Sequence, residues 1–165
     1  MIKKKICILG AFAVGKTSLV EKYVKSIFSD KYHTTIGVKT DQKDVVVNGT
    51  DVRLIIWDIN GEDDYQHVKP SYLMGVSGYF LVVDGTRKET LKVAFDLQQL
   101  VTKTVGEKEF ILLINKSDLK DSWELTEKDE QQLKQIGWKV ERTSAKTGEN
   151  VESSFHNLAE RILIK

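Results

Sequence analysis

The chain has 165 residues, 41% of them hydrophobic and 30% charged, the size and mixture of one globular domain, expected over 1–165. Its 25 Lys and Arg against 24 Asp and Glu leave a formal charge of +1, which supplies no electrostatic pull toward nucleic acid or a charged membrane surface. One cysteine, Cys7, allows neither an intramolecular disulfide nor a thiolate zinc site, and no apolar run is long enough to span a bilayer.

In chain order, IKKKICILG (2–10) reads as a buried strand with a solvated lysine start. TSLVEKYVKSIF (17–28) follows as a helix with Leu19, Val20, Tyr23, Val24 and Ile27 on one face. DVVVNGTDVRLIIWD (44–58) holds two strand runs around Asn48-Gly49, a hairpin signal. GYFLVVDG (78–85) is the next buried strand. Thr86 with Glu89 predicts a capping box for a helix that turns Leu91, Ala94, Phe95, Leu97, Leu100 and Val101 inward. EFILLIN (109–115) is a further buried strand, and Thr126 with Asp129 predicts a weaker cap for a helix carrying Leu133 and Ile136. WKVERTSA (138–145) is the last strand, and Val151, Phe155, Leu158, Ala159 and Ile162 stripe the last helix. Alternation of strand and crossover helix predicts an α/β fold: a mostly parallel six-stranded sheet, one antiparallel strand from the hairpin, and helices on both faces. Such sheets bind ligands at the carboxyl ends of their strands, so the residues after each strand carry the functional reading.

After the first strand comes GAFAVGKTS (10–18), a glycine and Gly-Lys-Thr at phosphate-loop spacing between a strand and a helix. Backbone N–H groups along Ala13, Val14, Gly15, Lys16, Thr17 and Ser18 are expected to face one concavity. Lys16 supplies a charge for the β and γ phosphates, the Thr17 hydroxyl suits a Mg²⁺ ligand, and the helix aims its positive end at the same place. WDING (57–61) places Asp58 for a second contribution to the metal and Gly61 for a backbone N–H at a γ-phosphate. In NKSD (115–118), the Asp118 carboxylate can accept paired hydrogen bonds from the N1–H and exocyclic amine of guanine, a pattern that adenine lacks. In TSAKTG (143–148), the Ala145 N–H can reach the guanine oxygen, with Ser144 and Lys146 shaping the loop.

With GAFAVGKTS, TTIG, WDING, NKSD and TSAKTG in this order, the chain resembles a Ras-superfamily small GTPase over essentially its whole length. YHTTIGV (32–38), Trp57 and TSAKTG look most like the Rab branch. The resemblance implies a P-loop NTPase fold and a molecular switch that binds GTP or GDP with Mg²⁺ and hydrolyses GTP. It implies that Thr17, Thr35 and Asp58 hold the metal. Phe28 would pack on the guanine, Asp30 would lie near the ribose, and Tyr32 would lie over the phosphates. Asn115 and Lys116 would join Asp118 at the base, and Lys16, Thr35, Gly61 and Glu62 would serve hydrolysis. Residues 30–38 and 59–74 would be the two switches, read by effector, exchange-factor and activating proteins.

Three residues depart from the family pattern at the γ-phosphate. Phe12 stands where a small residue is usual, Glu62 where glutamine orients the attacking water, and Asn60 where alanine is usual. Slow hydrolysis is the expected consequence, with a GTP-loaded interaction module that has lost turnover as the alternative. An ATP-using P-loop kinase is disfavoured by NKSD followed by TSAKTG. The start MIKKKI resembles no signal peptide, and RILIK carries no cysteine to lipidate. The expectation is therefore a cytoplasmic, unanchored monomer.

Overall fold

The computed structural model describes residues 1–28, 37–59 and 68–164. Six strands form one sheet in the order β2-β3-β1-β4-β5-β6. They are β1 (Ile2–Gly10), β2 (Val38–Val47), β3 (Thr50–Ile59), β4 (Val76–Asp84), β5 (Glu109–Asn115) and β6 (Val140–Arg142). All neighbours run parallel except β2 and β3. The predicted mostly parallel sheet with one antiparallel strand is what the chain builds.

Helices cover both faces, which is why β4, β5 and residues 6–10 of β1 are buried without alternation. On one face α1 (Lys16–Lys25) and α5 (Val151–Ile164) pack against Ile6, Ile8, Leu54, Ile56, Phe80 and Val82. There Tyr23 stacks on Phe155 with ring centroids 3.9 Å apart, and Phe80 meets Phe155 at 4.8 Å. On the other face α2 (Pro70–Leu73), α3 (Glu89–Val105) and α4 (Glu127–Gln135) cover Cys7, Leu9, Tyr79 and Leu81. Trp138 closes that layer between Phe95 and Phe110. No helix among the described residues is long and apolar enough to cross a membrane.

The hairpin forms as expected. Asn48 (φ 50°) and Gly49 (φ 79°) both take the positive φ that a two-residue turn of this hand requires. The ladder then runs from Val47↔Thr50 out to Val38↔Ile59, further than the predicted start at residue 44. Other boundaries differ. α1 stops at Lys25, because Ser26 adopts the left-handed conformation and donates its N–H to the Lys22 carbonyl. That leaves Ile27 off the helix and exposed rather than on its inner face. Ile136 likewise ends α4 and is exposed. β6 keeps only three of the eight residues expected to be strand.

Of the two predicted helix caps, the weaker one forms. Thr126 Oγ1 accepts from Asp129 N (3.2 Å), and Asp129 Oδ2 accepts from Thr126 N (2.9 Å). The Thr86–Glu89 box does not form, and α3 starts after Lys88 with no side-chain cap. Thr86 is engaged two residues back instead: its hydroxyl and its N–H both donate to Asp84 Oδ1, at 2.7 and 2.8 Å, so the N–H that Glu89 would take in a capping box is already held.

Phe155 is buried and joins α1, α5 and β4 through its rings. Phe155→Ala should therefore cost about 3–5 kcal/mol. Urea unfolding of the two chains checks this, and a loss below 1 kcal/mol would mean the ring stack carries little of the fold's stability.

Candidate functional site

The carboxyl ends of β1, β3, β4 and β5 reach one edge of the sheet. The loop after β1 lies tight against its neighbours. A Cβ at Gly10 would collide with the Val82 carbonyl oxygen, and one at Gly15 with Asn115 Nδ2. Gly15 also needs its φ of +102° to turn the chain into α1.

Every carbonyl from residue 10 to residue 15 has a partner. Lys16 Nζ donates to the oxygens of Gly10 and Ala11, both at 3.0 Å. Arg87 Nη2 donates to Phe12 O at 2.6 Å. Lys116 Nζ donates to Ala13 O at 3.2 Å, and Asn115 Nδ2 to Val14 O at 2.9 Å. Gly15 O accepts the first helical bond, from Leu19 N at 2.9 Å. With its oxygens turned into protein, the loop keeps its amide face for an anion. Lys16 is buried, and burial pulls its pKa down to about 8; Asp58 opposes that fall, and the charge of Arg87 adds to it. A buried ammonium held by neutral carbonyls is under-compensated, and phosphate oxygens suit it.

Beside it, Thr17 Oγ1 donates to Asp58 Oδ2 at 2.6 Å. Asp58 is fully buried, and among the described residues its Oδ1 has no hydrogen-bond partner. Burial raises its pKa, against the pull of the Thr17 bond and of Lys16 and Lys39. No group of three or more His, Cys, Asp or Glu among the described residues could hold a metal. A hydroxyl next to a carboxylate with a spare oxygen is instead a donor set that fits Mg²⁺, which takes its remaining ligands from phosphate and water.

At the other end, Asn115 closes β5. Its Oδ1 accepts from Thr143 Oγ1 at 3.1 Å while its amide holds Val14. Lys116 adopts a left-handed turn (φ 72°) into a 3₁₀ helix, Ser117–Ser122, that presents Asp118. Ser144 Oγ donates to Asp118 Oδ1 at 2.7 Å and accepts from Thr147 N at 3.1 Å. The NKSD and TSAKTG loops are thus joined, with Ala145 buried next to Ser144 and Lys146 exposed. Phe28 is exposed. Asp30, Tyr32, Thr35, Asn60, Gly61 and Glu62 lie outside the described residues.

Two strongly placed residues escaped the sequence reading. Asp84 ends β4 and is buried. Lys116 Nζ meets its Oδ2 at 2.7 Å and Arg87 Nε meets the same oxygen at 3.2 Å. Burial alone would raise the Asp84 pKa, but the bonds from Lys116 and Thr86 outweigh it and hold the carboxyl below its ordinary value. Reading the last residues of each strand as well as those after it would have found Asp84 too. Arg87 offers no such signal. Trp123 supports the same corner: its ring lies on Gly85, and Nε1 donates to Lys116 O at 2.9 Å.

The sequence pattern of the Ras family matches residues 5–164 of this chain. Ras-related protein Rab-21 of Geodia cydonium is 33% identical over 164 residues, covering 98% of this chain and 72% of its own length. Ras-related protein Rab-24 of Dictyostelium discoideum is 36% identical over 164 residues, covering 96% of this chain and 80% of itself. Ras-related protein Rab-12 of Homo sapiens is 32% identical over 166 residues, covering 99% and 68%.

Because the Asp84 pKa is depressed in the folded state, its stabilisation is present above the unfolded carboxyl value and is lost as pH falls through the folded one. Asp84→Asn should cost about 1.5–3 kcal/mol at pH 7, the worth of hydrogen bonds to a charged group. The gap between variant and native chain should narrow below about pH 4. Urea midpoints at pH 7 and pH 3 measure both, and a gap that stays constant would remove Asp84 as the acid-sensitive group.

Proposed function

This chain belongs to the Ras family of small GTPases and is Rab-like, and from that premise we propose that it is a guanine-nucleotide switch. It binds GTP and GDP with Mg²⁺, hydrolyses GTP slowly, and signals through residues 30–38 and 59–74 to effector, exchange-factor and activating proteins. The observation that carries this reading is the phosphate loop with all its carbonyls from residue 10 to residue 15 engaged.

Each role follows from the atoms available. The loop amides and Lys16 take the phosphates. Thr17, Asp58 and Thr35 hold Mg²⁺, which when bound neutralises charge building on the phosphate oxygens. Ser144 fixes one oxygen of Asp118, so the carboxylate meets the guanine N1–H and amine already oriented. Asn115 and Lys116 tie the base loop to the phosphate loop. Phe28, Asp30 and Tyr32 serve the base, ribose and phosphates. Gly61 and Glu62 serve the γ-phosphate and the water.

The rate is where this chain differs. An ionised Glu62 can accept a hydrogen bond from water but cannot donate one to the transferring phosphoryl group. Phe12, with its ring partly exposed, brings apolar bulk to a loop that other members keep small. That exposed ring also favours a second reading, a GTP-loaded interaction module with no turnover. Single-turnover hydrolysis by the magnesium-loaded protein separates the two: slow conversion to GDP supports the switch, and intact bound GTP after many hours supports the module. In either case Phe12→Gly with Glu62→Gln should speed hydrolysis, and an unchanged rate would remove both residues as the cause.

Asp118→Ala should weaken GTP and GDP about 10²–10⁴-fold, the worth of two hydrogen bonds to a charged acceptor. Isothermal titration with GDP, GTP and ATP checks it. Unchanged guanine affinity, or ATP binding as tightly as GTP in the native chain, would overturn guanine selectivity.

A further inference from the structure

Arg87 grips the phosphate loop from an element that the nucleotide motifs do not include. It sits in the turn between β4 and α3, 75 residues from Phe12 in sequence. Its guanidinium forks: Nε reaches Asp84 Oδ2 at 3.2 Å and Nη2 reaches Phe12 O at 2.6 Å. The carboxylate that anchors the fork is itself saturated. Its Oδ1 takes both the N–H and the hydroxyl of Thr86, and its Oδ2 also takes Lys116. So Arg87 is held at one end by a buried, fully used acceptor, and its free end falls on one backbone oxygen of the loop. A fork of this kind is geometry that lysine cannot reproduce.

The loop carbonyls divide by which end of a nucleotide they would face. Lys16, the residue that reaches the β and γ phosphates in such loops, bonds the oxygens of Gly10 and Ala11, so this segment of the loop would face the distal phosphate of a bound nucleotide. Phe12 continues that segment. Ala13 and Val14 lead toward the start of α1 and are held instead from the base loop, by Lys116 and Asn115. A carbonyl at the distal end that swings inward opposes the γ-phosphate and meets little in GDP.

Resting on the nucleotide-switch reading above, we infer that Arg87 is a positioning residue that keeps the Phe12 carbonyl turned away from the distal phosphate and thereby sets the balance between GTP and GDP. It acts through the loop and touches no reacting atom. Its effect is therefore on relative affinity, not on the chemical step.

The test is equilibrium titration of the full chain with fluorescent GDP and a fluorescent non-hydrolysable GTP analogue, with thermal midpoints for each variant. Arg87→Ala should weaken the GTP analogue about ten- to a hundredfold, the worth of one charged hydrogen bond, while GDP affinity changes less than about twofold. Arg87→Lys, which keeps the charge but loses the fork, should recover only part of that ratio. Equal weakening of both nucleotides with a lowered midpoint would make Arg87 a merely structural residue of its turn. An unchanged ratio would also overturn the inference while leaving the switch intact. A native chain that binds neither nucleotide would overturn both.

Discussion

A loop that presents amides to an anion must dispose of its own oxygens, and here that constraint organises the whole carboxyl edge of the sheet. Partners for six successive carbonyls come from Lys16 and Leu19 of α1, from Arg87 after β4, from Asn115 at the end of β5 and from Lys116 just after it. Arg87, Asn115 and Lys116 reach the loop because β1 lies beside β4, with β5 next along. The sheet order is thus a condition for the loop. In turn the loop demands the close approaches at Gly10 and Gly15, where a side chain would collide with Val82 or Asn115.

Two buried carboxylates close adjacent regions of this edge, with opposite accounts. Asp84 is filled by Lys116, Arg87 and Thr86, and its pKa is held down despite burial. Asp58 has one oxygen on Thr17 and the other without a partner among the described residues, and burial raises its pKa. A completed cluster is a fastening. An incomplete one is costly to bury, and a cation added to it recovers that cost. The contrast distinguishes the two acids more clearly than burial does, since both side chains are buried.

The sheet was legible because its strands are apolar runs between turn signals, and the hairpin because Asn-Gly suits positive φ twice over. The motifs GAFAVGKTS, NKSD and TSAKTG were legible because each falls at the carboxyl end of a strand. What stayed hidden is competition between acceptors. Thr86 and Glu89 have the spacing of a cap, and only the fold reveals that Asp84 captures the threonine first. Arg87 was hidden for the same reason: its partner is a backbone oxygen 75 residues away, and a carbonyl has no signature in sequence. β6 shrank to three residues because the chain beyond Arg142 turns to serve the base loop, with Thr143 bonding Asn115 and Ser144 bonding Asp118.

The antiparallel ladder has one more consequence. Its last pair is Val38↔Ile59, so the segment ending at residue 38 and the one starting at residue 59 are tied to the sheet side by side, about 4.5–5.5 Å apart between Cα atoms. Whatever those two segments do, their roots share one ladder rung. A protein in contact with both segments would therefore meet them from one common origin on the sheet.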